Sequence, residues 1–300
     1  MPFFNPSAYR AHEALVGPAR ETAQLWRLAI GVILIAGTVL LANQFLSQTL
    51  SNILGPQAFA ALTGGEGVSQ LSVLFLLFSF GLLTVGVVVA IKVAHNRSFP
   101  QVLGERGLFL RQFSAVLMML LMINTVLLIL PPWRMETPLI PNVPVWSWLV
   151  LLPFAVMAIL VQVSAEEILF RGYLQQQIAA RVGQPLIWLA VPSLLFGWGH
   201  YAPSMAGENA LMLALWAAVF GLAMADLTAR AGTLGPAIAV HFMQNAVAIL
   251  LVSMPDTLSG LSLYTLSFDM TDEVSFRALM PVEFMVILVS WLGARLAIRR

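Results

Sequence analysis

Two adjacent carboxylates, Glu166 and Glu167, precede Arg171 inside an apolar stretch that begins near Val145. Charges at membrane depth cost roughly 2.5–3.5 kcal/mol each on insertion scales. Such a cluster persists only if its members pair with one another and face protein rather than lipid. Helical spacing supplies one pair, because Glu167 and Arg171 lie four residues apart and meet on one face in the favourable acid-first order. Glu166 is rotated about 100° away and shares its face with Gln162. One carboxylate is thereby held as an ion-pair partner and the other is left free for chemistry.

Three further polar residues stand in later apolar runs. His200 closes the run Phe196-Gly197-Trp198-Gly199-His200, whose glycines let other backbone approach closely. His241 lies near the middle of its run, and Asn245 follows one turn later on the same face. A buried carboxylate or an imidazole can take a proton from water. A side-chain amide and an imidazole can donate hydrogen bonds to a developing oxyanion. These are the parts needed to add water to a carbonyl. Glu166, His200 and His241 could instead ligate one divalent metal such as zinc, with an open fourth position. No H-E-x-x-H is present, so those ligands would come from three separate helices, and water activation by Glu and His alone stands at least level with a metal.

The elements that position these residues are set by composition. The chain has 300 residues, of which 59% are hydrophobic and 10% charged, and its mean hydropathy is +0.87. Soluble domains carry about 25% charged residues, so this is an all-α, polytopic membrane chain with no separate soluble domain. Net charge is +1 without a basic run, which leaves no case for nucleic acid. The absence of cysteine excludes disulfides, thiolate metal sites and thiol nucleophiles. The mixed, polar first 26 residues do not read as a signal peptide.

Residues 1–25 are expected to form a cytoplasmic interfacial segment, and 26–300 one integral membrane domain with its functional core at about 145–252. Apolar runs predict about eight spans, at Trp26–Phe45, Leu71–Ile91, Phe113–Leu130, Val145–Gln177, Leu186–His200, Ala210–Leu227, Leu234–Val252 and Pro281–Ile298. The fourth is long, with a kink possible in principle at Pro153. Breakers such as Gly64-Gly65-Glu66-Gly67 and Pro131-Pro132 separate them. Of the 15 Lys and Arg residues, only Arg134 and Arg277 fall on the side away from the N-terminus. Setting aside the intramembrane Arg171, the positive-inside bias makes both termini cytoplasmic. The opposite loop carries Asp256, Asp269, Asp272 and Glu273, and Trp133, Trp146 and Trp148 read as an aromatic belt near it. Trp26, Trp188 and Trp291 read as interface anchors, Phe196 and Trp198 as cavity walls, Asn124 as a packing contact, and His12 and His95 as solvated.

Together the motifs resemble the CPBP-type intramembrane endopeptidases, the CAAX prenyl protease and bacteriocin-processing family. Glu166 to Arg171 matches its E-E-x-x-x-R motif, Phe196 to His200 its F-x-x-x-H and His241 to Asn245 its H-x-x-x-N, in that order. The resemblance covers roughly Val145–Val252. It implies an eight-helix fold with a cavity open to the cytoplasm, in which Glu166 and His200 activate water and His241 and Asn245 stabilise the oxyanion. It also implies a peptide or protein substrate, lipidated or not, reaching a multi-pass protein of the cell membrane from the cytoplasmic leaflet. Two rival classes stand beside it. One is a non-catalytic scaffold or immunity protein on the same fold, against which the intact motif set counts. The other is a transporter using buried carboxylates, which paired repeats with broken helices would favour; no such repeat is evident.

Overall fold

The structure is a computed structural model that describes residues 6–63, 68–129, 138–255 and 257–300. The glycine cluster at 64–67, Pro131-Pro132, Trp133, Arg134 and Asp256 lie outside the described residues. Among the described residues, six helices are long and apolar enough to cross a membrane: α2 Leu25–Leu54, α3 Gln70–Val93, α4 Arg106–Ile129, α5 Val145–Ala179, α7 Pro203–Ala231 and α9 Glu273–Ile298. Two shorter apolar helices, α6 Pro185–Gly199 and α8 Gly235–Leu251, complete the set of runs read from the sequence. A short helix, α1 Glu13–Arg20, precedes them. The bundle is all-α apart from three two-residue strands that the sequence did not suggest, β1 Ile140–Pro141, β2 Val252–Ser253 and β3 Tyr264–Thr265. They pair in the order β1-β3-β2, with β1 antiparallel and β2 parallel to β3.

Hydropathy fixed the existence of the spans better than their ends. α2 runs well past Phe45, and α9 starts before Pro281 because Asp272 caps it, accepting from the Val274 and Ser275 amides. Pro153 is accommodated within α5. That helix widens to a π-helical stretch at Ile168–Gln175, immediately after Glu167. α8 does the same at Val247–Leu251, just beyond Asn245. Such widenings occur mostly as single turns inside α-helices and often adjoin functional positions.

Ala11 and the C-terminal Arg299 and Arg300 meet at one end of the bundle, lining a common cavity with Glu105, Arg111 and Gly232. The opposite end carries the small sheet and the ordered segment 257–272, tied down by Asn142, whose amide donates to the Ser259 and Ser262 carbonyls.

The N-terminal segment folds under the bundle, burying Leu15, Val16 and Ala19, with the Tyr9 hydroxyl donating to Asp226 at 2.8 Å. This explains why His12 and His95 are buried rather than solvated. His12 packs on Trp188 at 4.6 Å between ring centres, and His95 bonds the Tyr173 hydroxyl at 2.9 Å. Burial pushes both imidazoles down to a pKa of about 4.

The tryptophans are corrected likewise. Trp188 is buried, Trp291 donates to Asp226 at 2.9 Å, and Trp198 faces outward on Tyr201 instead of walling a cavity. Trp26 stays exposed, as an anchor would. Asn124 donates to the Leu120 carbonyl of its own helix.

Candidate functional site

Glu166 and Glu167 sit on α5 about 20 Å along the axis from its end at Ala179, counting 1.5 Å per residue, well inside the apolar helix. Both are buried, as is Arg171. The expected pair is present: Arg171 donates from Nη1 to Glu167 Oε1 at 2.9 Å. Arg171 Nη2 reaches the Gly221 carbonyl on α7 at 3.1 Å, and its guanidinium lies 4.8 Å from the centre of the Phe196 ring. A Cβ at residue 221 would sit 3.3 Å from Arg171 Nη2, so glycine there keeps the arginine's carbonyl partner accessible.

α8 supplies the other half. His241 Nδ1 bonds Glu167 Oε1 at 2.8 Å, and His241 Nε2 lies 3.5 Å from Glu166 Oε2. The second contact is within ion-pair range but makes no hydrogen bond, so Glu166 Oε2 keeps no direct donor. One turn along, the Asn245 amide donates to Gln162 Oε1 at 2.8 Å. Thus 166 faces 241 and 162 faces 245, a ladder between antiparallel helices in which both partners are spaced by four. The face shared by Gln162 and Glu166 was legible in the sequence; that it meets the face of His241 and Asn245 was not.

His200 is set apart. As the residue after the last turn of α6, it bonds the Phe196 carbonyl through Nδ1 at 2.9 Å. It makes no hydrogen bond to Glu166, Glu167 or His241. Phe196 stands between the histidines, 4.5 Å from the His200 ring and 6.0 Å, edge-on, from His241. Gly197 makes this packing possible, since a Cβ there would fall 2.6 Å from the Ala214 carbonyl oxygen of α7. The structure therefore gathers Glu166, Glu167, Arg171 and His241, joins Asn245 to them through Gln162, and links His200 only through Phe196.

Among the described residues, no three His, Cys, Asp or Glu side chains are grouped to hold a metal ion, and Glu166, His200 and His241 do not form such a triad. Phe220, 4.9 Å from the His241 ring, and the Gly221 carbonyl belong to the site as well. Neither carries a side-chain chemistry that spacing could flag.

A cavity of about 440 Å³ adjoins His200. Its walls include Met205, Trp216, Ile249, Met254, Phe276 and Glu283, from α6, α7, α8, α9 and the segment after α8. It lies toward the end of the bundle away from the termini.

The helix bundle thus buries Glu166, Glu167, Arg171 and His241 among its apolar helices, with His200 and Asn245 partly exposed beside them. Residues 145–247 match the family described as Rce1-like, type II CAAX prenyl endopeptidase Rce1-like, which is the CAAX protease family that the three motifs resemble. The matched segment runs from the start of α5 into α8 and contains all six motif residues. No curated protein and no solved structure matches the chain.

Proposed function

We propose that this protein is an intramembrane endopeptidase that hydrolyses a peptide bond with water activated by Glu166. The observation that carries the reading is the buried chain Arg171–Glu167–His241 with Glu166 beside it, its Oε2 free of any donor. Both carboxylates keep an Oε2 without a donor, but Glu167 is fully buried and bonded to Arg171 and His241, whereas Glu166 makes neither bond and retains some exposure, so Glu166 is assigned the proton from water. The His241 imidazole, held at Nδ1 by Glu167, donates from Nε2 toward the reacting carbonyl and, with the Asn245 amide, supports the oxyanion. The proton taken by Glu166 then passes to the leaving amine. His200, its Nδ1 fixed on the Phe196 carbonyl, leaves Nε2 free to orient the water on the cavity side.

The basic residues at the terminal end support cytoplasmic termini in the cell membrane. The direct test of the function is incubation of the purified protein in detergent with a library of C-terminal peptides, prenylated and unmodified, followed by mass spectrometry. Fragments with new termini are the expected result, and the same incubation with a chelator separates water activation by Glu and His alone from metal-assisted hydrolysis. A library recovered intact would favour the scaffold reading.

A further inference from the structure

We propose that the cavity at the terminal end of the bundle binds an anionic phosphate group, the headgroup of a phospholipid or a free phosphate ester, through Arg111, Arg299 and Arg300. None of the cavity's residues belongs to the candidate site, so this binding is independent of the hydrolase reading.

The cavity holds about 570 Å³ and is walled by the N-terminal segment, the start of α4 and the ends of α7 and α9. Bonds that leave its charges untouched fix those walls. Gln112 commits both ends of its amide, donating to the Ala231 carbonyl at 3.2 Å and accepting from the Thr233 hydroxyl at 2.6 Å, which ties α4 to the turn between α7 and α8. Gly232, at φ +71°, stands where a Cβ would fall 2.7 Å from the Ala11 carbonyl oxygen. The N-terminal segment closes on that turn because the residue there has no side chain.

Charge sets the class of ligand. Arg111, Arg299 and Arg300 line the cavity, and among the described residues none of them makes an ion pair. Other arginines at this end are paired, Arg20 with Glu13 at 2.7 Å and Arg230 with Asp226 at 2.8 Å. Glu105 is the acid among the lining residues, and it is spent on the first turn of α4, accepting from the Gly107 and Leu108 amides at 2.7 and 2.5 Å. The three guanidinium groups are thus the polar side chains left to a ligand, and their forked donors match the oxygens of a phosphate.

The remaining wall favours the lipid over the free ester. Leu108, Ala115, Ala297 and Ile298 line the cavity where α9 packs along α4. Leu110 and Leu296, beside them on the two helices, are exposed, as lipid-facing side chains are. A soluble phosphate would use the arginines alone, whereas a phospholipid also covers the apolar wall. Basic side chains at the ends of apolar helices are where anionic headgroups collect.

Native mass spectrometry of the purified protein tests the site, in micelles holding equal amounts of phosphatidylglycerol and phosphatidylcholine, with and without glycerol 3-phosphate. The wild type is expected to retain one phosphatidylglycerol about tenfold more often than phosphatidylcholine, as when a few basic side chains meet one anionic headgroup. Arg111→Gln/Arg299→Gln should lose that preference. Arg10→Gln/Lys92→Gln removes the same charge from exposed positions outside the cavity and should keep it. Melting temperatures on the same preparations report folding, and Arg299→Gln alone, just beyond α9, should weaken the preference if the double variant does not fold. Equal retention of the two lipids by the wild type, an unchanged preference in the folded arginine variant, or an equal loss in Arg10→Gln/Lys92→Gln would overturn the site. Displacement of phosphatidylglycerol by glycerol 3-phosphate would support the site with a free phosphate ester as its occupant; retention in its presence would support it with the lipid.

Discussion

Glu167 accepts hydrogen bonds from both Arg171 and His241. Its spacing from Arg171 was legible, but the bond to His241 closes a gap of 74 residues in the chain. No local pattern encodes which helix face an apolar run will meet. The double role changes what the residue is expected to do when altered. Glu167→Gln strands a buried guanidinium, and breaking such a pair typically costs about 3–5 kcal/mol. It also releases the imidazole whose Nδ1 it held. The variant should therefore melt at lower temperature and turn over more slowly per folded molecule, read by thermal shift and single-turnover cleavage in detergent. Unchanged melting and rate would remove Glu167 from both roles. His200 shows the other limit of residue-scale reading: its type and position were evident, but the Phe196 ring that separates it from His241 was not.

Elements were legible where hydrophobicity alone builds them. Each apolar run in the sequence is a helix in the structure, because in lipid a segment must satisfy its own backbone. The parts that escaped reading depend on close contacts between helices. Gly31 on α2 is one: a Cβ there would overlap the Tyr173 hydroxyl of α5, which bonds His95 at the end of α3. Three elements thus meet where one residue has no side chain. Gly31→Ala should displace Tyr173 from His95 and destabilise the protein by about 1–3 kcal/mol, the usual range for overpacking. Adding Tyr173→Phe removes the colliding oxygen, so the double variant should recover part of the loss. Additive losses in that double-mutant cycle would show that the two residues do not meet as described.

At the scale of the whole molecule, composition and charge placed the chain in a membrane, yet they gave no sign that the N-terminal segment seals one end of the bundle. That seal holds His12 and His95 neutral, with pKa values lowered to about 4, whereas histidine in an unfolded chain titrates near ~6.5. Between those values the unfolded chain binds more protons than the folded one. Stability is therefore complete above a pH of about 6.5 and falls as the pH drops toward 4, by up to ~1.4 kcal/mol per pH unit for each histidine. Detergent melts across that range should show the decline in the wild type and a shallower one in His12→Gln. The same segment, with the 97–103 loop, covers α5 on the terminal side of the site, where Arg97 bonds Gln176 and Gln176 bonds the Val102 carbonyl. Glu166 itself makes no hydrogen bond through Oε2, and Arg171 keeps Glu167 whether or not Glu166 is charged. The most direct measurement is thus peptide cleavage by Glu166→Gln beside the wild type, with the melting temperature of each recorded on the same preparation. An unchanged melting temperature with cleavage abolished is the predicted result; cleavage at the wild-type rate by a folded Glu166→Gln would contradict the assignment of Glu166 as the base.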